Sequence, residues 1–148
     1  MSEPDQASRQ RWMAVLARAD AATLETASAN LLPGYEVIRG PECGLVMLRG
    51  RAGGSGAAFN LGEASVVRCT VRSEAGHLGH AYCLGRDLRQ AELAAAVDAG
   101  LQDAARRRAL DEAVVRPLAE AQAAARAQEA RRAAATQVQF FTLATMRS

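Results

Sequence analysis

The hydrophobic period changes twice along the chain, and this partition constrains the fold more than any single motif. Between Tyr35 and Leu84 the period is close to two. "YEVIR" alternates, with Tyr35, Val37 and Arg39 on one side. "CGLVMLRG" is apolar on both faces, as a central strand is. "ASVVRCTVR" sets Val67, Cys69 and Val71 against Arg68, Thr70 and Arg72, and "HLGHAYCLG" sets Ala81 and Cys83 against His80 and Tyr82. The links between these segments are too short for parallel crossovers, so they predict an antiparallel sheet of about four strands.

On either side the period is helical. Trp12, Val15, Leu16 and Ala19 fall on one face of "RQRWMAVLARAD", and Asp20 is placed to cap a second short helix carrying Leu24 and Leu31. Pro33 and Gly34 end that part. After Gly85, Asp87 is the expected cap of a helix with the stripe Leu93, Val97, Leu101; a second stripe runs Leu110, Val114, Leu118. Pro117 predicts a kink or a new helix start. "LAEAQAAARAQEARRAAA" is made of strong helix formers, and "TQVQFFTLATM" reads as an extended C-terminal tail. The expected architecture is one α+β domain over residues 1–148: N-terminal helices, the sheet, then long C-terminal helices.

Composition narrows the function. Hydrophobic residues make up 49% of the chain but aromatics only 4%. Alanine carries much of the apolar content and buries little area per residue, so part of the stability is expected from a partner. A formal net charge of +2 is too small to point to nucleic acid or a membrane. All 18 positive charges are arginine, which GC-rich coding produces and which also suits carboxylate and phosphate recognition. No apolar run approaches a membrane span, and "MSEPDQ" is unlike an export signal. Three cysteines without a CxxC predict free thiols in a reducing, cytoplasmic setting.

"LRGRAGGSGAAFNLGEASVVRC" has the glycine density of a phosphate loop. A Walker loop needs GxxxxGK[ST], and a dinucleotide loop needs a helix behind its glycines. Here there is no lysine and the next segment reads as a strand, so the glycines predict a strand-to-strand connection. An anion or subunit contact by Arg49, Arg51 and Arg68 stays open. His77 and His80, three apart on a strand, point to opposite faces and do not chelate, and Cys43, Cys69 and Cys83 lack ligand spacing; no metal site is expected. Cys83 and His80 likewise face apart, which weakens a nucleophilic pair. Glu42 and Glu63 beside glycines suit acid–base work less well than solvated turn edges. The "RRR" at Arg106 to Arg108 is expected to pair along its helix, Asp103 with Arg107 and Glu112 with Arg116. Trp12, Phe140 and Phe141 are candidate partner anchors, with packing on their own domain the alternative.

Specific stretches add a resemblance. "RQRWMAVLARA", "YEVIRGPECGLVMLRGRAGGSGAAFNLGEASVVRCTVR", "GHLGHAYCLGRDLRQAELAAAVDA", "VRPL" and "VQFFTLATMR" occur in the order seen in the PhnG family of the bacterial carbon–phosphorus lyase system, and they span nearly the whole chain. The resemblance implies action with PhnH, PhnI and PhnL, which transfer the ribose triphosphate of ATP to a phosphonate such as methylphosphonate and displace adenine. It also implies a core complex with PhnH, PhnI and PhnJ. It implies no cofactor in this chain, with ATP a substrate of the complex and an iron–sulfur cluster on PhnJ. No catalytic residue carries over. The alternative is a small free-standing enzyme with an arginine-lined anion site.

Overall fold

The computed structural model describes residues 4–53 and 55–136. The expected tail, with Phe140 and Phe141, lies outside them. The order is α1 (Gln6–Leu16), α2 (Ala21–Ser28), β1 (Tyr35–Arg51), β2 (Ala58–Ser73), β3 (Leu78–Leu84), α3 (Leu88–Gln102), α4 (Ala104–Leu110), a π-helical turn (Asp111–Val115) and α5 (Arg116–Ala135). This is the expected α+β layout. The expected caps form: Asp20 accepts from the Thr23 amide at 2.8 Å and Asp87 from the Gln90 amide at 3.0 Å.

The sheet has three antiparallel strands in the order β1-β2-β3. The two segments expected as separate strands, 35–39 and 43–50, are one long β1. Gly40 and Pro41 lie between them, and proline brings no ladder donor. At a sheet edge they are absorbed as register shifts between Val37 and Glu42. Gly40 sits at φ 75°, and a Cβ there would come within 2.6 Å of the Arg68 carbonyl oxygen, so the bulge requires glycine. The expectation that "CGLVMLRG" lies at the centre of the sheet is overturned: β2 is central, and this segment is an edge.

Alternation in β2 and β3 is as read. Val67, Cys69, Val71, Ala81 and Cys83 are buried under α3, while Arg68, Arg72, His80 and Tyr82 face out. α3 runs through the middle of the core and is buried from Leu93 to Leu101 on every side, with the sheet on one flank and α1, α2 and α4 around it. Where α3 crosses β3 the backbones touch. A Cβ on Gly79 would strike the Ala95 carbonyl oxygen and Ala99, so helix and strand approach this closely only because residue 79 is glycine.

Pro117 stands in the first turn of α5, the new helix start expected of it, directly after the π-helical turn. In a regular α-helix its ring would meet the Ala113 carbonyl, and that carbonyl would lose a donor. The π-helical turn just before it widens the coil, and the Arg116 amide bonds to the Asp111 carbonyl, five residues back. The same widening changes the expected ion pairs. Arg116 meets Asp111 at 3.5 Å rather than Glu112, which pairs with Arg108 at 3.0 Å. Arg107 does not pair with Asp103. It donates to the Leu101 and Gln102 carbonyls at the end of α3, while Asp103 caps α4 and approaches Arg106. Past Gln122, whose amide donates to the Val15 carbonyl, α5 is exposed all round from Ala123. It projects roughly 20 Å from the core at 1.5 Å per residue.

Candidate functional site

One buried carboxylate organises the N-terminal half. Asp98 on α3 is 0% exposed. Its Oδ1 accepts from Trp12 Nε1 at 2.8 Å and Arg9 Nε at 3.2 Å; its Oδ2 accepts from Arg9 Nη2 at 2.8 Å and the His80 main-chain N–H at 2.9 Å. Arg9 also donates to the Leu78 carbonyl, as does Gln102. The outer edge of β3 at Leu78 and His80 is thus satisfied by side chains of α1 and α3 instead of by another strand. Sequence reasoning passed over Asp98. The available signal was a lone acid inside the apolar run "LAAAVDAGL". Trp12, expected as a partner anchor, is 5% exposed and buried by the chain itself, with its indole N–H on Asp98.

The other face of the sheet is open. Arg39 and Arg68 both donate to Glu42 Oε1, at 2.9 and 2.7 Å, and Arg72 donates to Glu36 at 2.8 Å. The hydrogen bond from Arg39, aided by Arg68, holds the Glu42 carboxyl below its usual range against the opposing effect of desolvation. Thr70 Oγ1 and His80 Nδ1 lie 3.1 Å apart. Met13, Arg39, Arg68, Thr70, His80 and Tyr82 line a concavity of about 270 Å³ there. Two guanidiniums line it, and both already donate to Glu42, which lies outside the lining.

The other expected groups do not converge. Arg68 stands opposite Glu42, whereas Arg49 stands opposite Asn60, eight residues further along β2; that is roughly 26 Å of strand. Arg51 is at the end of β1, next to the glycine loop. That loop joins strand to strand, with the Gly56 amide on the Ala52 carbonyl at 3.0 Å. Cys69 and Cys83 are buried, and desolvation pushes both thiols up, Cys83 to about 11. They are poor nucleophiles at neutral pH. Cys43 is exposed on β1. Glu63 stands opposite Met47 and Glu42 is tied to arginines, so the two carboxylates form no pair. Among the described residues no three His, Cys, Asp or Glu side chains are placed to hold a metal ion, and no helix is long and apolar enough to cross a membrane.

The largest departure from a self-contained domain is the far half of the first hairpin. β3 pairs with β2 only from Val66 to Arg72, so β1 beyond Cys43 and β2 before Ser65 form a two-stranded arm. Leu45 is 64% exposed, Met47 51%, Leu48 39%, Phe59 45% and Leu61 65%. By alternation Leu45 and Met47 lie on one face. Leu48 lies on the other with Phe59 and Leu61, which both reach the space a Cβ on Gly50 would fill.

Comparison with known proteins agrees with this picture. Residues 7–146 match the family described as phosphonate metabolism protein PhnG. The chain is 45% identical over 139 residues to the alpha-D-ribose 1-methylphosphonate 5-triphosphate synthase subunit PhnG of Rhizobium meliloti (strain 1021), covering 93% of this chain and 88% of that protein.

Proposed function

The chain belongs to the PhnG family of phosphonate metabolism proteins, and on that premise we propose that it is a subunit of an alpha-D-ribose 1-methylphosphonate 5-triphosphate synthase in which its role is to shape the assembly. The observation that carries this reading is the arm, apolar on both faces and covered by nothing among the described residues. A monomer rarely leaves so much apolar surface uncovered, and a two-stranded ribbon is marginal on its own. The polar groups point the same way: the buried thiols are raised, and the open-face arginines are tied to glutamates.

In this reading PhnH, PhnI and PhnL supply the chemistry that joins the ribose triphosphate of ATP to methylphosphonate with loss of adenine, and PhnJ joins the same core. This chain brings no cofactor of its own. Co-expression with those subunits should give one co-eluting complex, and adenine release from ATP plus methylphosphonate should require them. Elution of the chain apart from all of them would sink the reading.

The concavity beside Arg39 and Arg68 favours a second reading, in which this chain touches an anionic substrate directly. If so, Arg68→Gln should raise KM for ATP or phosphonate in the assembled complex. An unchanged KM removes that reading.

A further inference from the structure

The arm also specifies how a neighbour docks, granted the subunit reading above. From Cys43 to Arg51 on β1, and from Ala58 to Ala64 on β2, the two strands pair only with each other among the described residues. Each outer edge therefore presents main-chain donors and acceptors with no strand beside them. Natural edges are blunted by proline, charge or bulges. The first part of β1 has Pro41 and two register shifts, but "CGLVML" from Cys43 to Leu48 has neither proline nor charge. An open edge flanked by apolar side chains on both faces is the surface used in strand addition, where main-chain bonds give affinity and alternate side chains fill pockets.

Charge decides between a second copy and an unlike partner. Arg49 and Arg51 sit at the tip with no carboxylate in ion-pair range among the described residues, and Glu42 is already taken by Arg39 and Arg68. Two β1 edges paired about a twofold axis oppose residues of the same face. Both acids of β1, Glu36 and Glu42, are on the face away from Arg49 and Arg51, as their pairing with Arg72 and Arg68 shows. No such register sets a carboxylate against either tip arginine, so a second copy offers them no counter-charge. We propose that the arm is the docking element of this chain. Its occupant is an unlike subunit of the synthase whose strand adds to β1 between Cys43 and Arg51, with carboxylates opposite Arg49 and Arg51.

The test uses the chain co-expressed with the remaining synthase subunits. Leu45 and Leu61 are about two-thirds exposed, so Leu45→Glu and Leu61→Glu should leave the circular-dichroism spectrum and melting temperature of the chain as in wild type. Each should nevertheless reduce recovery of the other subunits at least tenfold. The double variant Arg49→Glu, Arg51→Glu should do the same. Amide exchange from Cys43 to Arg51 should slow at least tenfold on assembly. Wild-type recovery with all three variants and no slowing would overturn the docking assignment while leaving the subunit reading intact. No complex with the wild-type chain would end both. A dimer of the isolated chain that Leu45→Glu dissolves would make the occupant a second copy and overturn the unlike-partner assignment.

Discussion

Replacing Asp98 by alanine should remove a large part of the stability of this chain. The carboxylate has no solvent exposure and serves five donor atoms, the fifth being Gln102 Nε2 at 3.5 Å. Without it the Trp12 indole N–H and the His80 amide lose the acceptor the structure gives them, and Arg9, 30% exposed, loses its counter-ion. An orphaned buried donor costs about 1–3 kcal/mol, and breaking a largely buried ion pair adds to that, for a total of roughly 3–6 kcal/mol. A domain of this size has only about 5–15 kcal/mol to lose. Asp98→Asn keeps the shape but turns an NH₂ toward one of the donors, so its loss should be somewhat smaller. Urea unfolding followed by far-ultraviolet circular dichroism measures the difference. The fluorescence of Trp12, the chain's one tryptophan, reports from the site itself. Asp87→Ala, which removes an exposed helix cap worth about 1 kcal/mol, is the yardstick. Trp12→Phe with Asp98→Asn should be non-additive by about 1 kcal/mol or more, because both act on one hydrogen bond. If Asp98→Ala cost no more than Asp87→Ala, and the pair with Trp12→Phe were additive, the carboxylate would not be organising the core.

Three further outcomes follow from the same geometry. Iodoacetamide at neutral pH should label Cys43 alone in the native chain and all three cysteines in urea; a second rapid site in the native chain would contradict the burial of Cys69 and Cys83. Gly79→Ala should cost about 1–3 kcal/mol in the same urea assay by forcing α3 away from β3, and wild-type stability would refute that close approach. Stability should also fall on the acid side. Asp20 is held below its usual value chiefly by the Thr23 hydroxyl, and Glu42 by Arg39 and Arg68. Groups lowered on folding contribute fully above their unfolded pKa values, 3.8 and 4.5, and lose that contribution as pH drops through the lower folded ones. The urea midpoint between pH 3 and 6 should flatten in Asp20→Asn, Glu42→Gln; an unchanged slope would assign the acid limb elsewhere.

Local pattern made much of this structure legible. Caps at Asp20 and Asp87, the alternation of β2 and β3, and the stripes on α3 and after it are all short-range signals that tertiary packing did not override. The reading failed where a local signal had a non-local cause. Gly40 and Pro41 resemble a strand end, yet an edge strand tolerates them. The apolar run after Cys43 implies burial on both faces, which the described residues do not provide. Asp98 is invisible to periodicity, because its partners come from α1 and β3, far away in sequence. The same holds for the arginines at the tip and on the sheet. Glycine and arginine content suggested one anion site, but strand length sets them far apart.

The wide turn before Pro117 has a consequence for helix phase. In an α-helix each residue advances about 100°, so the eighth residue after Leu110 would face about 80° away from it. A π-helical turn takes up one extra residue without advancing the coil, which returns that angle to roughly 20°. Leu118 therefore points along the same line as Leu110, and both are buried. If the same residues closed into a regular α-helix instead, Leu118 would swing off the core and the whole of α5 would turn about its axis by about 100°, more than a quarter of a circle. Whatever face α5 offers beyond Gln122 is thus set by a single inserted residue and the proline that requires it.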